Sequence, residues 1–201
     1  MKKVFLVFTI LTMALITAAT ASAQEVWGKG GGISYSMAGV EGGFRWNSAD
    51  VDTANSNKQE IGFQIGGSAV FDLTENFGIK TGLFYTDRPF KATFATTPEI
   101  TGTGKISYFD VPVFAMFKFE DYAGVYAGPS LGIKLGDEYS TAPGGGGSLT
   151  DIKGMIIPFT FGAQFKMSES LGLNLFFESA GELAKGVKTS RAVGVNALFT
   201  F

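Results

Sequence analysis

The chain has 201 residues, 45% of them hydrophobic, with 28 Gly, 20 Phe, a formal net charge of −2 and neither His nor Cys. The missing residue types exclude Ser-His and Cys-His hydrolysis, histidine general bases, disulfides, thiolate chemistry and most zinc sites. A mildly acidic chain also lacks the electrostatic footprint of a nucleic-acid binder, so the composition points away from enzymes, cofactors and nucleic acid together.

In chain order, residues 1–23 read as a separate object. Lys2 and Lys3 give a positive start, Val4 to Ala19 is an almost unbroken apolar run, and Ala21-Ser22-Ala23 supplies small-x-small before Gln24. This is the pattern of a helical secretory signal peptide, and the apolar run is short for a membrane-spanning helix. Export is expected, with 24–201 as the mature domain.

The mature chain alternates with period two. From Phe77 to Tyr85, large apolar residues stand at Phe77, Ile79, Leu83 and Tyr85, with Gly78, Lys80, Gly82 and Phe84 between them. The C-terminal stretch repeats this, with Val193, Val195, Ala197, Phe199 and Phe201 on one face. A helix would spread these residues around its circumference, so they define strands. The same reading predicts eight strands near Gly30 to Val40, Lys58 to Leu73, Phe77 to Arg88, Lys105 to Phe119, Ala123 to Gly136, Gly154 to Met167, Leu171 to Leu183 and Ser190 to Phe201. Tight polar turns at Thr74 to Asn76, Glu120 to Tyr122 and Ser168 to Ser170 alternate with long connections at Glu41 to Asn57, Pro89 to Gly104 and Asp137 to Lys153, and Ala184 to Thr189 is intermediate. An all-β chain with an even strand number, short turns on one side and long loops on the other has the layout of an antiparallel, up-and-down transmembrane β-barrel of the outer membrane.

Side-chain volume decides which face points inward. The apolar faces carry too many Phe, Ile, Leu and Val side chains for the interior of an eight-stranded barrel, so they must face lipid. The opposite faces are rich in Gly, Ser, Thr, Asn and Gln and carry Lys80, Asp110, Lys134 and Glu178 on four strands. Isolated burial of such charges costs several kcal/mol, so these four are expected to pair as a network plugging the barrel, with a proton or ion path as the functional alternative. Trp27, Tyr35, Phe119, Tyr122 and Phe201 fall near strand ends, where interfacial aromatic girdles form.

Three weaker patterns do not reach a site. Gly28-Lys29-Gly30-Gly31-Gly32 lacks the helix a phosphate loop requires. Asp50, Asp52 and Asn55 fail the EF-hand spacing, because Ala54, Asn55 and Ile61 stand at its ligand and glycine positions. Pro143 and Gly144 to Gly147 read as a flexible stretch, or as a contact surface that orders on a partner.

Tyr108-Phe109-Asp110-Val111-Pro112, the strand Val113 to Phe119, and Tyr126-Ala127-Gly128-Pro129-Ser130 together resemble the PorT-like outer membrane β-barrel family of Gram-negative bacteria. The ending Asn196 to Phe201 is similar to the closing strand of such barrels, and the resemblance implies that its terminal aromatic, Phe201, is an assembly signal read by the barrel-assembly machinery. One departure is Tyr85 followed by Thr86-Asp87-Arg88-Pro89, where the family often carries Lys-Gly. The resemblance carries over no catalytic residue. The expected role is that of a closed, non-enzymatic barrel embedded in outer membrane lipid, meeting an extracellular or envelope protein partner through its long loops. A narrow pore for small solutes and a soluble lipocalin-like carrier are the alternatives.

Overall fold

A computed structural model describes residues 34–52, 54–95, 100–120, 122–142 and 151–200. The expected signal peptide, Trp27, Phe201 and the Gly144 to Gly147 run lie outside these residues. Among the described residues there is no helix. The strands are β1 (Ser34–Val51), β2 (Ser56–Lys58), β3 (Glu60–Asp72), β4 (Phe77–Phe94), β5 (Ile100–Glu120), β6 (Ala123–Ala142), β7 (Met155–Ile156), β8 (Phe159–Lys166), β9 (Leu171–Ala180) and β10 (Val187–Thr200). All pair antiparallel, and the pairings run β1-β3-β4-β5-β6-β8-β9-β10 and return to β1, so the sheet closes on itself.

Among the described residues ten strands appear where eight are predicted, and two prolines account for the difference. Pro89 has no N–H to give to the ladder. The β3–β4 pairing stops at Gln64↔Thr86, and pairing to β4 resumes only with β2, from Lys58↔Lys91 outward. Pro158 likewise separates β7 from β8, and its carbonyl still accepts the Ser130 N–H at 2.8 Å. β2 and β7 are thus outer continuations of β3 and β8 along β4 and β6.

The connections predicted as long loops are largely strand. β1 runs to Val51, β4 to Phe94, β5 starts at Ile100 and β6 ends at Ala142. The alternation of apolar residues fades where the wall leaves lipid, whereas backbone pairing continues beyond that level. β10 also begins earlier than predicted, at Val187, and β9 ends earlier, at Ala180. Between them Gly186 takes a left-handed φ of 87° and its carbonyl accepts the Asp52 N–H at 2.7 Å, a bend suited to glycine.

Strand length makes the barrel lopsided. A tilted strand crosses a bilayer with about 9–11 residues. β4, β5 and β6 have 18, 21 and 20 residues, whereas β8 and β9 have 8 and 10. The turn-side ends of β4 to β6 are held by the connections that follow Asp72 and Glu120, so the surplus rises on the other side as a sheet of β4, β5 and β6, with β2 paired to the outer part of β4, above one part of the rim. Its side chains carry water-compatible pairs: Lys91 with Glu60 at 3.7 Å, Lys105 with Glu138 at 3.4 Å and Lys134 with Asp137 at 2.7 Å.

Below that sheet the outer surface is apolar. Phe44, Phe63, Phe77, Val113, Phe161, Val193 and Phe199 are all exposed, and Phe44 keeps 60% of its surface accessible. A soluble carrier would turn this face inward. Phe119 and Tyr122 are exposed at the turn side, the depth of an aromatic girdle.

Candidate functional site

The inward positions are odd in β1 and even in β3, β4, β5, β6, β8, β9 and β10. That parity brings Glu41, Arg45 and Asn47 from β1 together with Lys80 and Arg88 from β4, Asp110 from β5, Asn174 and Glu178 from β9, and Asn196 from β10. Glu41 and Arg45 are four residues apart on one strand, as are Asn174 and Glu178 on another. At about 3.4 Å per residue each pair spans about 14 Å along its strand, so two separate polar layers form.

The layer nearer the tight turns is centred on Glu41. Its Oε2 accepts from Lys80 Nζ at 3.1 Å and Ser68 Oγ at 3.0 Å. Its Oε1 accepts from Asn196 Nδ2 at 2.7 Å and from Asn174 Nδ2. Asn174 Oδ1 in turn accepts from the Tyr126 hydroxyl at 2.7 Å. The Lys80 ammonium also donates to Gln164 Oε1 at 2.8 Å and lies 4.7 Å from the centre of the Tyr126 ring. A buried carboxylate and a buried ammonium are each surrounded by hydrogen-bonding groups, the condition under which an interior ion pair is tolerated.

The second layer is built on Arg88 and Glu178. Glu178 Oε1 accepts from Arg45 Nη2 at 2.5 Å and Arg88 Nε at 3.1 Å, and Oε2 accepts from Arg88 Nη2 at 3.0 Å. Arg88 Nη2 reaches Asp110 Oδ2 at 2.9 Å. Arg45 Nε donates to Asn47 Oδ1 at 2.9 Å and Nη1 to Gln64 Oε1 at 3.3 Å. Three cations thus face three carboxylates across the two layers, and these six charges cancel.

Apolar packing closes what the ion pairs leave. Phe114, Met116, Tyr126, Phe176 and Val70 pack in the turn-side half. Phe90, Ile106, Tyr108, Ile156, Leu183, Ala184 and Val187 form a cap on the loop side, to which the 181–186 connection contributes. The inward rings lie over glycines of neighbouring strands: a Cβ at Gly194 would collide with the Phe176 ring, and one at Gly162 with Tyr126. Between the layers remains a cavity of about 40 Å³, room for little more than water.

Of the four charges singled out in the sequence, Asp110 and Glu178 meet through Arg88, while Lys80 pairs with Glu41 in the other layer. They do not pair with one another as expected. Lys134 is not part of either layer: it pairs with Asp137 of its own strand at 2.7 Å. Glu41, Arg45 and Arg88 are the residues the sequence reading missed. Glu41 and Arg45 fell inside a predicted loop, and Arg88 stood at a predicted strand end. The signal that finds them is parity: extending β1 and the alternation of β4 by a few residues puts all three on the inward face. Asp50 lies within β1, and Asp52 binds Lys188 at 2.8 Å, which raises the lysine's pKa.

A closed antiparallel sheet with an apolar outer band and a polar, filled interior defines a transmembrane β-barrel of the outer membrane type. The family described as outer membrane protein beta-barrel domain matches residues 22–184, and the chain belongs to it. Among solved structures, the chain is similar to Ail, the attachment invasion locus protein of Yersinia pestis, with a TM-score of 0.50 and 13% identity over 82% of this chain and 98% of that one. It is also similar to neisserial surface protein A, with a TM-score of 0.47 and 14% identity over 85% and 100% of the two chains. These likenesses concern the fold. No curated protein matches the chain.

Proposed function

We propose that this chain is a non-enzymatic barrel that holds the β4–β6 sheet and its loops in front of the outer membrane, for contact with an extracellular or envelope protein. It counts as eight-stranded once β2 and β7 are joined to β3 and β8. The filled lumen carries the reading: two ion-pair layers and an apolar cap leave no route for a solute, so contact falls to the surface beyond the bilayer. In the same reading residues 1–23 are removed on export, lipid surrounds the apolar band, and the assembly machinery engages Phe201. Within the family, Tyr108 to Pro112 and Tyr126 to Ser130 favour the PorT-like members.

Two measurements test this. In planar bilayers the purified barrel is expected to give no steady conductance, and a stable ohmic pore would overturn the sealed lumen. Shortening residues Ala142 to Thr150 is expected to leave heat-modifiable gel mobility intact while reducing cross-linked partner in whole cells. Loss of folding on that deletion would place the segment in the wall and remove it as a contact surface.

A further inference from the structure

The chain has three arginines, and they divide by what they face. Arg45 and Arg88 are buried in the lumen, and each donates to a carboxylate. Arg191 has the opposite parity on β10, so it lies on the outer wall. It is exposed, and among the described residues it makes no ion pair.

The ladders place a serine on each side of it, Ser48 of β1 and Ser179 of β9. Directly opposed residues of antiparallel strands share a face, with Cβ atoms about 4.5–5.5 Å apart. Ser48, Arg191 and Ser179 therefore form one outward row, which Phe159 of β8 continues beside Ser179. Neither serine hydroxyl has a partner among the described residues.

Depth gives the row its meaning. One row nearer the turns, about 7 Å along the strands, the same face carries Trp46, Val193, Phe177 and Phe161. Trp46, Val193 and Phe161 are exposed members of the apolar band. One row outward stand Asp50 and Thr189. All three strands thus turn from apolar to polar at the level of Arg191, where a membrane wall meets lipid headgroups. A guanidinium with no carboxylate takes a phosphate through two parallel N–H donors, and flanking hydroxyls donate to its remaining oxygens. Asp50 repels an anion from the row beyond, which confines the site to the membrane side. A free anion would satisfy the arginine alone, whereas a phosphate carrying acyl chains also covers Phe159, Phe161 and Val193.

We propose that Arg191, Ser48 and Ser179 bind the phosphate headgroup of a lipid in the loop-side leaflet, its acyl chains lying along Phe159, Phe161 and Val193. The site rests on the transmembrane placement of the wall and is independent of partner contact through the β4–β6 sheet. The test uses the full barrel, labelled with ¹⁵N-arginine, in phosphatidylcholine nanodiscs containing rising fractions of phosphatidate. The Arg191 Nε–H signal is expected to shift and saturate, while the buried Arg45 and Arg88 signals stay still. Ser48→Ala with Ser179→Ala keeps the reporting arginine and is expected to raise the half-saturating phosphatidate fraction about tenfold, the size of one hydrogen bond to a charged group. Arg191→Gln, read by native mass spectrometry of the barrel released from the same nanodiscs, is expected to lose retained phosphatidate. Four results would overturn the proposal: no saturable Arg191 shift, an equal shift when inorganic phosphate replaces the lipid, full affinity in the double serine variant, or undiminished retention by Arg191→Gln. The second would make the row a site for free anions.

Discussion

Glu178→Leu is the sharpest test of the filled lumen. The carboxylate accepts hydrogen bonds from two guanidinium groups. Removing it leaves Arg45 with only the neutral Asn47 and Gln64 oxygens, and leaves Arg88 sharing Asp110 alone. Breaking a buried pair from one side costs about 3–5 kcal/mol, because the abandoned charge stays buried. With an m-value of about 4 kcal/mol/M in guanidinium chloride, the unfolding midpoint should fall by about 1 M. Heat-modifiable mobility and the fluorescence of Trp46, on the outer face of β1, report the transition. The double variant Arg45→Met with Glu178→Leu restores neutrality and should recover most of the loss, since an apolar replacement of a buried pair is often tolerated. An unchanged midpoint in the single variant would mean that Glu178 is solvated and the lumen open. A double variant as unstable as the sum of both singles would mean that the two residues act separately.

Gly162→Val should drive a side chain into Tyr126, disturb its hydrogen bond to Asn174, and cost about 1–3 kcal/mol by overpacking. Gly136→Val, at a position with no atom within 4 Å, is the control expected to leave the midpoint unchanged. Deleting Phe201 should slow assembly into the outer membrane, measured as accumulation of unfolded chain in pulse labelling, and insertion at the normal rate would refute the assembly-signal reading.

The transmembrane part of the wall was legible because lipid on one side and a crowded lumen on the other impose strict alternation. Phe77, Ile79, Leu83 and Tyr85 face outward and Gly78, Lys80, Gly82 and Phe84 inward, as their spacing requires. Legibility ended where lipid ended. Past Arg88 and before Lys105 the inner face is still covered, Phe90 and Ala92 being buried, whereas the outward positions are Pro89, Lys91, Thr93, Thr101 and Thr103, so no apolar alternation marks the continuing β4 and β5. A different interruption hid Glu41 and Arg45: they lie inside the apolar band, where Val40, Phe44 and Trp46 are exposed, but Gly42 and Gly43 break the alternation beside them. Pairing partners were beyond reach for another reason: that Lys80 meets Glu41 and not Glu178 depends on the stagger of β1 against β4, a closure property of the whole barrel.

Stagger also explains why charges occupy this interior when an apolar filling would be cheaper to bury. A closed sheet whose two faces were equally apolar would gain little from one register over the next, and a slip of one residue exchanges its faces. Here such a slip of β1 would turn Glu41 and Arg45 toward lipid, and a slip of β4 would do the same to Lys80 and Arg88. A basic side chain facing lipid at mid-depth costs about 2–4 kcal/mol, and its abandoned partner inside adds more. The ion pairs therefore penalise every odd-numbered slip strongly while contributing modestly to the right register. Their work is finished when the barrel closes, and since closure also fills the lumen, the proposed contact with a partner falls to the sheet that β4, β5 and β6 raise beyond the membrane.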